Sequence, residues 1–300
     1  KRQALRSDDE VARLGGDEFI IMLEEFADVD TPARVARKVL SLLCQPIAIN
    51  HHILHVTASI GIAVFPDDGN NVTTLLKNAD SAMYMAKKEG RNGFHYFTQA
   101  MAQREEDRFS LEIDLHTALL NEEFLLHYQP KIDLETGQVT GLEALLRWQH
   151  PERGLLAPCD FLSVAHDAGV MRDITHWVIT EACGQLQLWL DEGLDPGRIS
   201  INIDSHTFNS TDAYDQIGRT VEVSGISPHR VELEIPESGL LEKSFDDEFW
   251  RLLVDMGFEL SIDDFGIGES SLLRLKRLPV TTLKVDKSFV RDIETDEDNR

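Results

Sequence analysis

Four short apolar segments recur through the second half of this chain: ISINI at 199–203, VELEI at 231–235, ELSI at 259–262 and TLKV at 282–285, with helix-length stretches between them. Antiparallel neighbours can be joined by a two-residue turn, whereas parallel strands need a crossover of a dozen or more residues, usually a helix. This spacing therefore predicts a parallel sheet, either open or closed into a barrel. Two longer strands, Phe124 to Asp133 and Gln138 to Trp148, precede it around the turn Glu135-Thr136-Gly137.

The first half has a different rhythm. VARLGGDEFIIML at 11–23 places two apolar runs around Gly15-Gly16, which predicts a β-hairpin with a positive-φ turn and the acidic pair Asp17-Glu18 directly after it. Thr31 is expected to cap a helix with Pro32 at its first position and Val35, Val39, Leu40 and Leu43 at helical spacing. A strand from His55 to Phe65, a helix from Val72 to Glu89 closed by Gly90, and a short strand at Phe94 to Phe97 complete a β-α-β-α-β unit. The charged stretch Gln99 to Asn121, with Phe109, Ile113, Leu115 and Leu119 as apolar positions, reads as a connecting helix. The division expected is 1–98, 99–121 and 122–300, with a solvated acidic tail, DIETDEDNR.

Charge bounds the partners. The 300 residues carry 29 Lys and Arg against 53 Asp and Glu, a formal charge of −24, with 42% hydrophobic residues. At about 150 residues per domain, that is enough for two domains with their own cores. Polyanions and anionic bilayers reward a basic footprint, so a nucleic-acid duplex is not an expected partner, although a local basic pocket is compatible with this surface. Cys44, Cys159 and Cys183 form no CxxC pair, which predicts buried or inert thiols in a reducing compartment, the cytoplasm being the simplest location. No run approaches the roughly 18 apolar residues of a membrane span, so no direct insertion is expected of this chain, although its parent could be attached through other segments.

The polar residues that interrupt the later strands form a pattern. Glu143, Asn202, Glu234, Asp263, Asp264 and Lys284 each fall at or just beyond the C-terminal end of an expected strand, where β/α barrels collect their active sites. A lone carboxylate there reads as a helix cap, and Asp-Asp-Phe-Gly alone as a turn. Carboxylates and an amide oxygen on separate strands can instead converge on hard divalent cations, Mg²⁺ or Mn²⁺, with Asp263 and Asp264 placed to bridge two ions. Two such ions suit phosphodiester hydrolysis. Lys284 would orient the attacking water or neutralise phosphate charge, and Arg147 would grip a phosphate oxygen. His51, His52 and His55 do not share a face on their segment, no Ser-His-Asp pattern is present, and the Trp and Phe residues read as core.

Through Glu143-Ala144-Leu145-Leu146-Arg147-Trp148, Ser200-Ile201-Asn202-Ile203, Glu232-Leu233-Glu234-Ile235-Pro236-Glu237-Ser238, Ile262-Asp263-Asp264-Phe265-Gly266 and Leu283-Lys284-Val285-Asp286, the second half resembles the EAL family of bacterial cyclic-di-GMP phosphodiesterases. The resemblance implies a TIM-like barrel with an irregular first strand pair that opens c-di-GMP to pGpG. It implies Glu143, Asn202, Glu234, Asp263 and Asp264 as metal ligands, Glu143 and Lys284 as catalytic, Lys284 acting on the water. Arg147 would then contact substrate, and Glu237 would hold the loop after Asp264. Where the family usually reads Thr and Tyr in that loop this chain has Ile267 and Glu269, and Pro236 replaces a usual Thr. The chain also ends before the family's last metal-binding Glu, and residues 109–300 fall short of the about 250 residues of a full barrel. An incomplete barrel belonging to a longer parent is therefore expected.

Arg13-Leu14-Gly15-Gly16-Asp17-Glu18-Phe19, Ser59 to Ala63 and Ala79 to Asn92 resemble GGDEF diguanylate cyclases, whose fold is nucleotidyl-cyclase-like, or ferredoxin-like. The overall fold class expected is thus α/β and α+β, a partial GGDEF domain joined by a helix to the incomplete barrel. Gly15 and Gly16 let backbone approach a nucleotide, Asp17 and Glu18 can hold Mg²⁺, and Lys87 with Arg91, one helical turn apart, can neutralise a triphosphate. This resemblance implies GTP as a ligand, a homodimer, and an inhibitory c-di-GMP site at Arg6 and Asp9. The family's first metal-binding Asp would precede Lys1, so cyclase activity is not expected of residues 1–98 alone. Two alternatives to hydrolysis stay open: a c-di-GMP receptor without turnover, and a cyclase.

Overall fold

A computed structural model describes residues 9–24, 28, 30–49, 52–203, 211–241, 247–267, 275 and 278–291. They fall into two units, Lys1–Ser110 and Leu111–Arg300.

In the first unit β1 (Glu10–Gly15) and β2 (Glu18–Met22) form the expected hairpin, in which Gly15 faces Glu18. Only Gly16 of the glycine pair has positive φ, and Asp17 occupies the turn itself instead of following it. Helix α1 (Thr31–Leu43) begins at Thr31, so the cap position is Asp30 and not Thr31. The Thr31 hydroxyl is engaged elsewhere, accepting from Arg34 Nη2 at 2.9 Å.

Of the expected strand over His55–Phe65, only Ile60–Ile62 forms a strand. β3 (Ile47–Ile49) pairs antiparallel with β4 (His52–Leu54), while β5 (Ile60–Ile62) pairs in parallel with β6 (Phe94–Tyr96) across helix α2 (Val72–Lys88). β6 offers three partner residues, and the β5 ladder extends no further than they do. Gly61 backs directly onto α2: a Cβ there would lie 1.7 Å from the Ala79 carbonyl oxygen and 2.4 Å from Met83 N. Both atoms belong to helix backbone and cannot swing aside. Gly61→Ala is therefore expected to destabilise this unit by about 3 kcal/mol, read as early loss of amide protection along α2 in hydrogen exchange. Unchanged protection would show that the helix can shift.

Helix α3 (Gln99–Ala118) leads into the second unit, whose core takes in Leu111, Leu115 and Ala118. Phe109, at 66% exposure and expected in the core, faces outward with Ile113, because the stripe 111, 115, 118 selects the opposite helix face. Phe19 and Phe65 are likewise exposed, so the expectation that aromatic residues are core fails at these positions.

Among the described residues the second unit holds one sheet, running from Thr282–Val285 through Glu259–Phe265, Val231–Pro236, Arg198–Asn202 and Val139–His150 to Phe124–Ile132, with β9 (Gly154–Leu156) paired to Val139–His150. β7 (Phe124–Ile132) and β8 (Val139–His150) are antiparallel; β8, β10 (Arg198–Asn202), β11 (Val231–Pro236), β12 (Glu259–Phe265) and β13 (Thr282–Val285) are parallel neighbours. Among the described residues β7 and β13 remain the two edges, so the sheet does not close into a ring.

Period-2 alternation divides each strand between two environments. Ile199, Ile201, Val231, Leu233, Ile235, Leu260 and Ile262 are fully buried in one cluster with Ile179, Cys183 and Leu186 of the helix Met171–Asp191 and Val221 of the helix Thr211–Ser224. Ser200, Asn202, Glu232, Glu234, Ser261 and Asp263 take the other face. At one end Trp148 packs its ring 5.7 Å from Phe124 and 5.5 Å from Phe161, and donates from Nε1 to Glu123 at 2.9 Å. Cys183 is buried as expected, its thiol pushed up to about 11 by desolvation, but Cys44 and Cys159 are exposed. Among the described residues no helix is long and apolar enough to cross a membrane.

Candidate functional site

The polar face converges at the carboxyl ends of the parallel strands. Carboxylate oxygens of Glu143 (β8), Glu234 (β11) and Asp263 (β12) all lie within 4.8 Å of one another. Register explains the meeting: Glu143 stands beside Ser200, Asn202 beside Glu234, and Asp263 beside Pro236 on adjacent strands. Lys284 of β13 reaches into their midst. Its Nζ lies 3.1 Å from Glu143 Oε2 and 3.2 Å from Asp263 Oδ1, and it pairs with Glu234 Oε2. Asn202 Nδ2 donates to Glu143 Oε1 at 3.0 Å.

Burial sets the electrostatics. Desolvation is the largest influence on Glu234, which is 0% exposed, and it holds that carboxyl above the usual range despite two lysines. Desolvation works against charge on Glu143 too, but Lys284 and Asn202 outweigh it and hold the carboxyl below its usual value. Lys284 is opposed by burial, yet Glu234, Glu143 and Asp263 raise it so that it stays protonated.

The other expected residues are placed as follows. Asp264 is exposed, with φ +53, and does not join the three-carboxylate group; partial desolvation, then Asp263 and Asp286, raise its carboxyl. Arg147 lies on the Glu143 face of β8, four residues and about 13 Å further along, with Nη1 donating to the Leu146 carbonyl at 2.7 Å. Buried Glu237 accepts from Gly266 N at 2.8 Å, two residues beyond Asp264. Ile267 is exposed, and Glu269 lies outside the described residues.

In the first unit Asp17 and Glu18 are exposed at the hairpin tip. Lys87 sits in the last turn of α2, but the helix ends at Lys88 and Arg91 lies beyond it with φ +59. Lys87 and Arg91 are thus not one helical turn apart, because Gly90 at φ +106 reverses the chain and Arg91 N bonds the Ala86 carbonyl. Asp9 is described; Arg6 lies outside the described residues.

Sequence reasoning missed Lys131. It sits on β7, its Nζ 2.8 Å from Glu234 Oε1, 2.9 Å from Glu232 Oε2 and 2.5 Å from Ser200 Oγ. The available signal was a lysine inside a strand, two residues from Gln129, which faces Glu143 across the ladder.

The donor set is all oxygen, three carboxylates and an amide, which fits a hard divalent cation and not a soft thiophilic ion. An ammonium group at the focus of all three carboxylates shows that this point favours positive charge.

Comparison with known proteins agrees with the geometry. The family model "EAL domain" matches residues 112–300, and "Diguanylate cyclase, GGDEF domain" matches residues 2–93. The chain is 40% identical over 299 residues to the bifunctional diguanylate cyclase/cyclic di-GMP phosphodiesterase MucR of Pseudomonas aeruginosa, covering 99% of this chain and 44% of that protein. It is 36% identical over 293 residues to the cyclic di-GMP phosphodiesterase PdeR of Escherichia coli, covering 96% and 43%. A solved structure, "PaMucR Phosphodiesterase, c-di-GMP complex", superposes with a TM-score of 0.59 at 39% identity over 63% of this chain and 77% of that one. The chain thus spans under half the length of these two curated relatives.

Proposed function

Because the chain belongs to the EAL domain family and carries a GGDEF domain ahead of its EAL domain, we propose that its second unit hydrolyses cyclic di-GMP to linear pGpG with Mg²⁺ or Mn²⁺. The observation that carries this reading is the convergence of Glu143, Glu234 and Asp263 from three strands of one parallel sheet. The c-di-GMP in the similar PaMucR complex supports the choice of substrate.

Glu143, Asn202, Glu234, Asp263 and Asp264 are the proposed metal ligands. A divalent ion, when bound, supplies a polarised phosphoryl oxygen and a more acidic water. Asn202 spends its N–H on Glu143, which fixes that carboxylate and leaves the amide oxygen as the ligand atom. Lys284 keeps its proton, so it acts as a charge that orients the water or steadies the phosphate, not as a base. Arg147 takes a phosphate oxygen with its planar fork, and Glu237 holds the turn that follows Asp264.

For the first unit the proposal is GTP at Gly15, Gly16, Asp17, Glu18, Lys87 and Arg91, feedback by c-di-GMP at Arg6 and Asp9, and a homodimer. Domain limits of 1–98 and 122–300, with 99–121 between them, go with this reading.

The test incubates c-di-GMP and Mn²⁺ with this chain and with one extended past Arg300, following pGpG by chromatography. Metal-dependent pGpG is expected from at least the longer chain. Binding without product in both would favour a receptor, a reading for which the exposed position of Asp264 speaks. GTP consumption would identify a cyclase.

A further inference from the structure

Lys131 lies outside the proposed ligand set, yet it holds the one carboxylate in that set that is 0% exposed. It reaches the polar face because β7 and β8 are paired so that Lys131 faces Gly141, which adds no side chain, while Gln129 faces Glu143. Directly opposed residues share a sheet face. Its ammonium group crosses the sheet interior to Ser200 on β10 and to Glu232 and Glu234 on β11. Ser200 Oγ in turn donates to Glu232 Oε2 at 2.8 Å. The result is a buried polar layer beneath the strand-end cluster, with three fixed acceptors for the three N–H bonds of one lysine.

The division of labour on Glu234 is specific. Oε1 is taken by Lys131 from below, and Oε2 pairs with Lys284, whose Nζ also meets Glu143 and Asp263. We propose that Lys131 is a positioning residue for the metal centre: by holding Glu234 Oε1 it fixes the carboxylate plane so that Oε2 is presented to the cation, while Glu232 and Ser200 hold Lys131 in place. This rests on the metal-dependent reading above. Groups that orient metal ligands change metal affinity or activity about 10- to 100-fold when removed.

Lys131→Met separates this role from mere charge balance when compared with the double variant Lys131→Met/Glu232→Gln, which removes the second buried carboxylate that the first variant strands. Mn²⁺ binding is measured by calorimetry, and the bound ion's environment by electron paramagnetic resonance, alongside thermal unfolding. The expected result is Mn²⁺ affinity about tenfold or more weaker in both variants with an altered Mn²⁺ spectrum, the double variant regaining thermal midpoint but not affinity. Lys131→Arg, which keeps a donor to Glu234, is expected to regain part of the affinity. Wild-type affinity in Lys131→Met, or affinity restored by the double variant, would overturn the proposal and leave Lys131 as a counter-ion for Glu232. Failure of both to fold would likewise assign it to stability. Mn²⁺ binding without pGpG in both the wild-type chain and the one extended past Arg300 would refute the hydrolase reading and leave this inference standing.

Discussion

Glu143→Gln is expected to lower pGpG formation by about 10³-fold, equivalent to ~4 kcal/mol of transition-state stabilisation, with the thermal midpoint held within about 2 °C. The two effects separate because of where Glu143 sits. Its side chain is 17% exposed, and the amide that replaces it can still accept from Asn202. Lys284 keeps Glu234 and Asp263 as partners, so no buried cation is orphaned. What disappears is one negative charge facing the point where three carboxylates meet. Steady-state product formation together with thermal unfolding decides the matter. An unchanged rate would remove Glu143 from the catalytic centre, and a collapsed midpoint would make it structural.

Lys284→Met should act in the opposite sense, on the metal-free protein. Removing the ammonium leaves Glu143, Glu234 and Asp263 facing one another, and breaking a buried ion pair typically costs about 3 kcal/mol or more. A divalent cation binds the folded form and should recover much of that loss. The contribution of Glu143 to the pH dependence should invert as well. In the parent, Glu143 has a depressed carboxyl pKa, so its contribution is full above the ordinary carboxylate range and is lost as pH falls through the lowered value. Without Lys284 the crowded carboxylates favour protons, so the variant should gain stability on acidification between about pH 7 and pH 4. Unfolding midpoints across that range, with and without Mn²⁺, test this. A variant with the parent's pH slope and no response to Mn²⁺ would show that the carboxylates do not repel one another there.

The parallel sheet was legible because VELEI and ISINI record both faces at once: isoleucine and valine toward the helices, glutamate, serine and asparagine toward the interior. Strand-end positions followed from the same alternation, since the parallel register sets Asn202 level with Glu234 and Glu143 beside Ser200, two residues earlier on the same face. Lys131 was not legible, because its role depends on the antiparallel β7–β8 register and on the chain crossing the interior, neither of which a local pattern states. Arg91 was misplaced for a local reason, the reversal at Gly90 that breaks the helical spacing assumed between it and Lys87. Thr31 and the strand over 55–65 failed on partners: one hydroxyl was claimed by Arg34, and one strand found only three residues to pair with.

The two-faced strands of the second unit have a consequence for how such a protein can change over generations. The aliphatic face makes up much of the cohesion of the core, and the residues that would do chemistry stand one position away on each strand, pointing elsewhere. Substitutions at the exposed end of that polar face can therefore retune or silence a reaction while the scaffold persists. Deeper positions such as Glu232 and Glu234, locked into a shared polar layer, are expected to drift only together with Lys131. Descendants of one ancestral fold could thus divide into catalysts and inert binders without passing through an unfolded intermediate sequence.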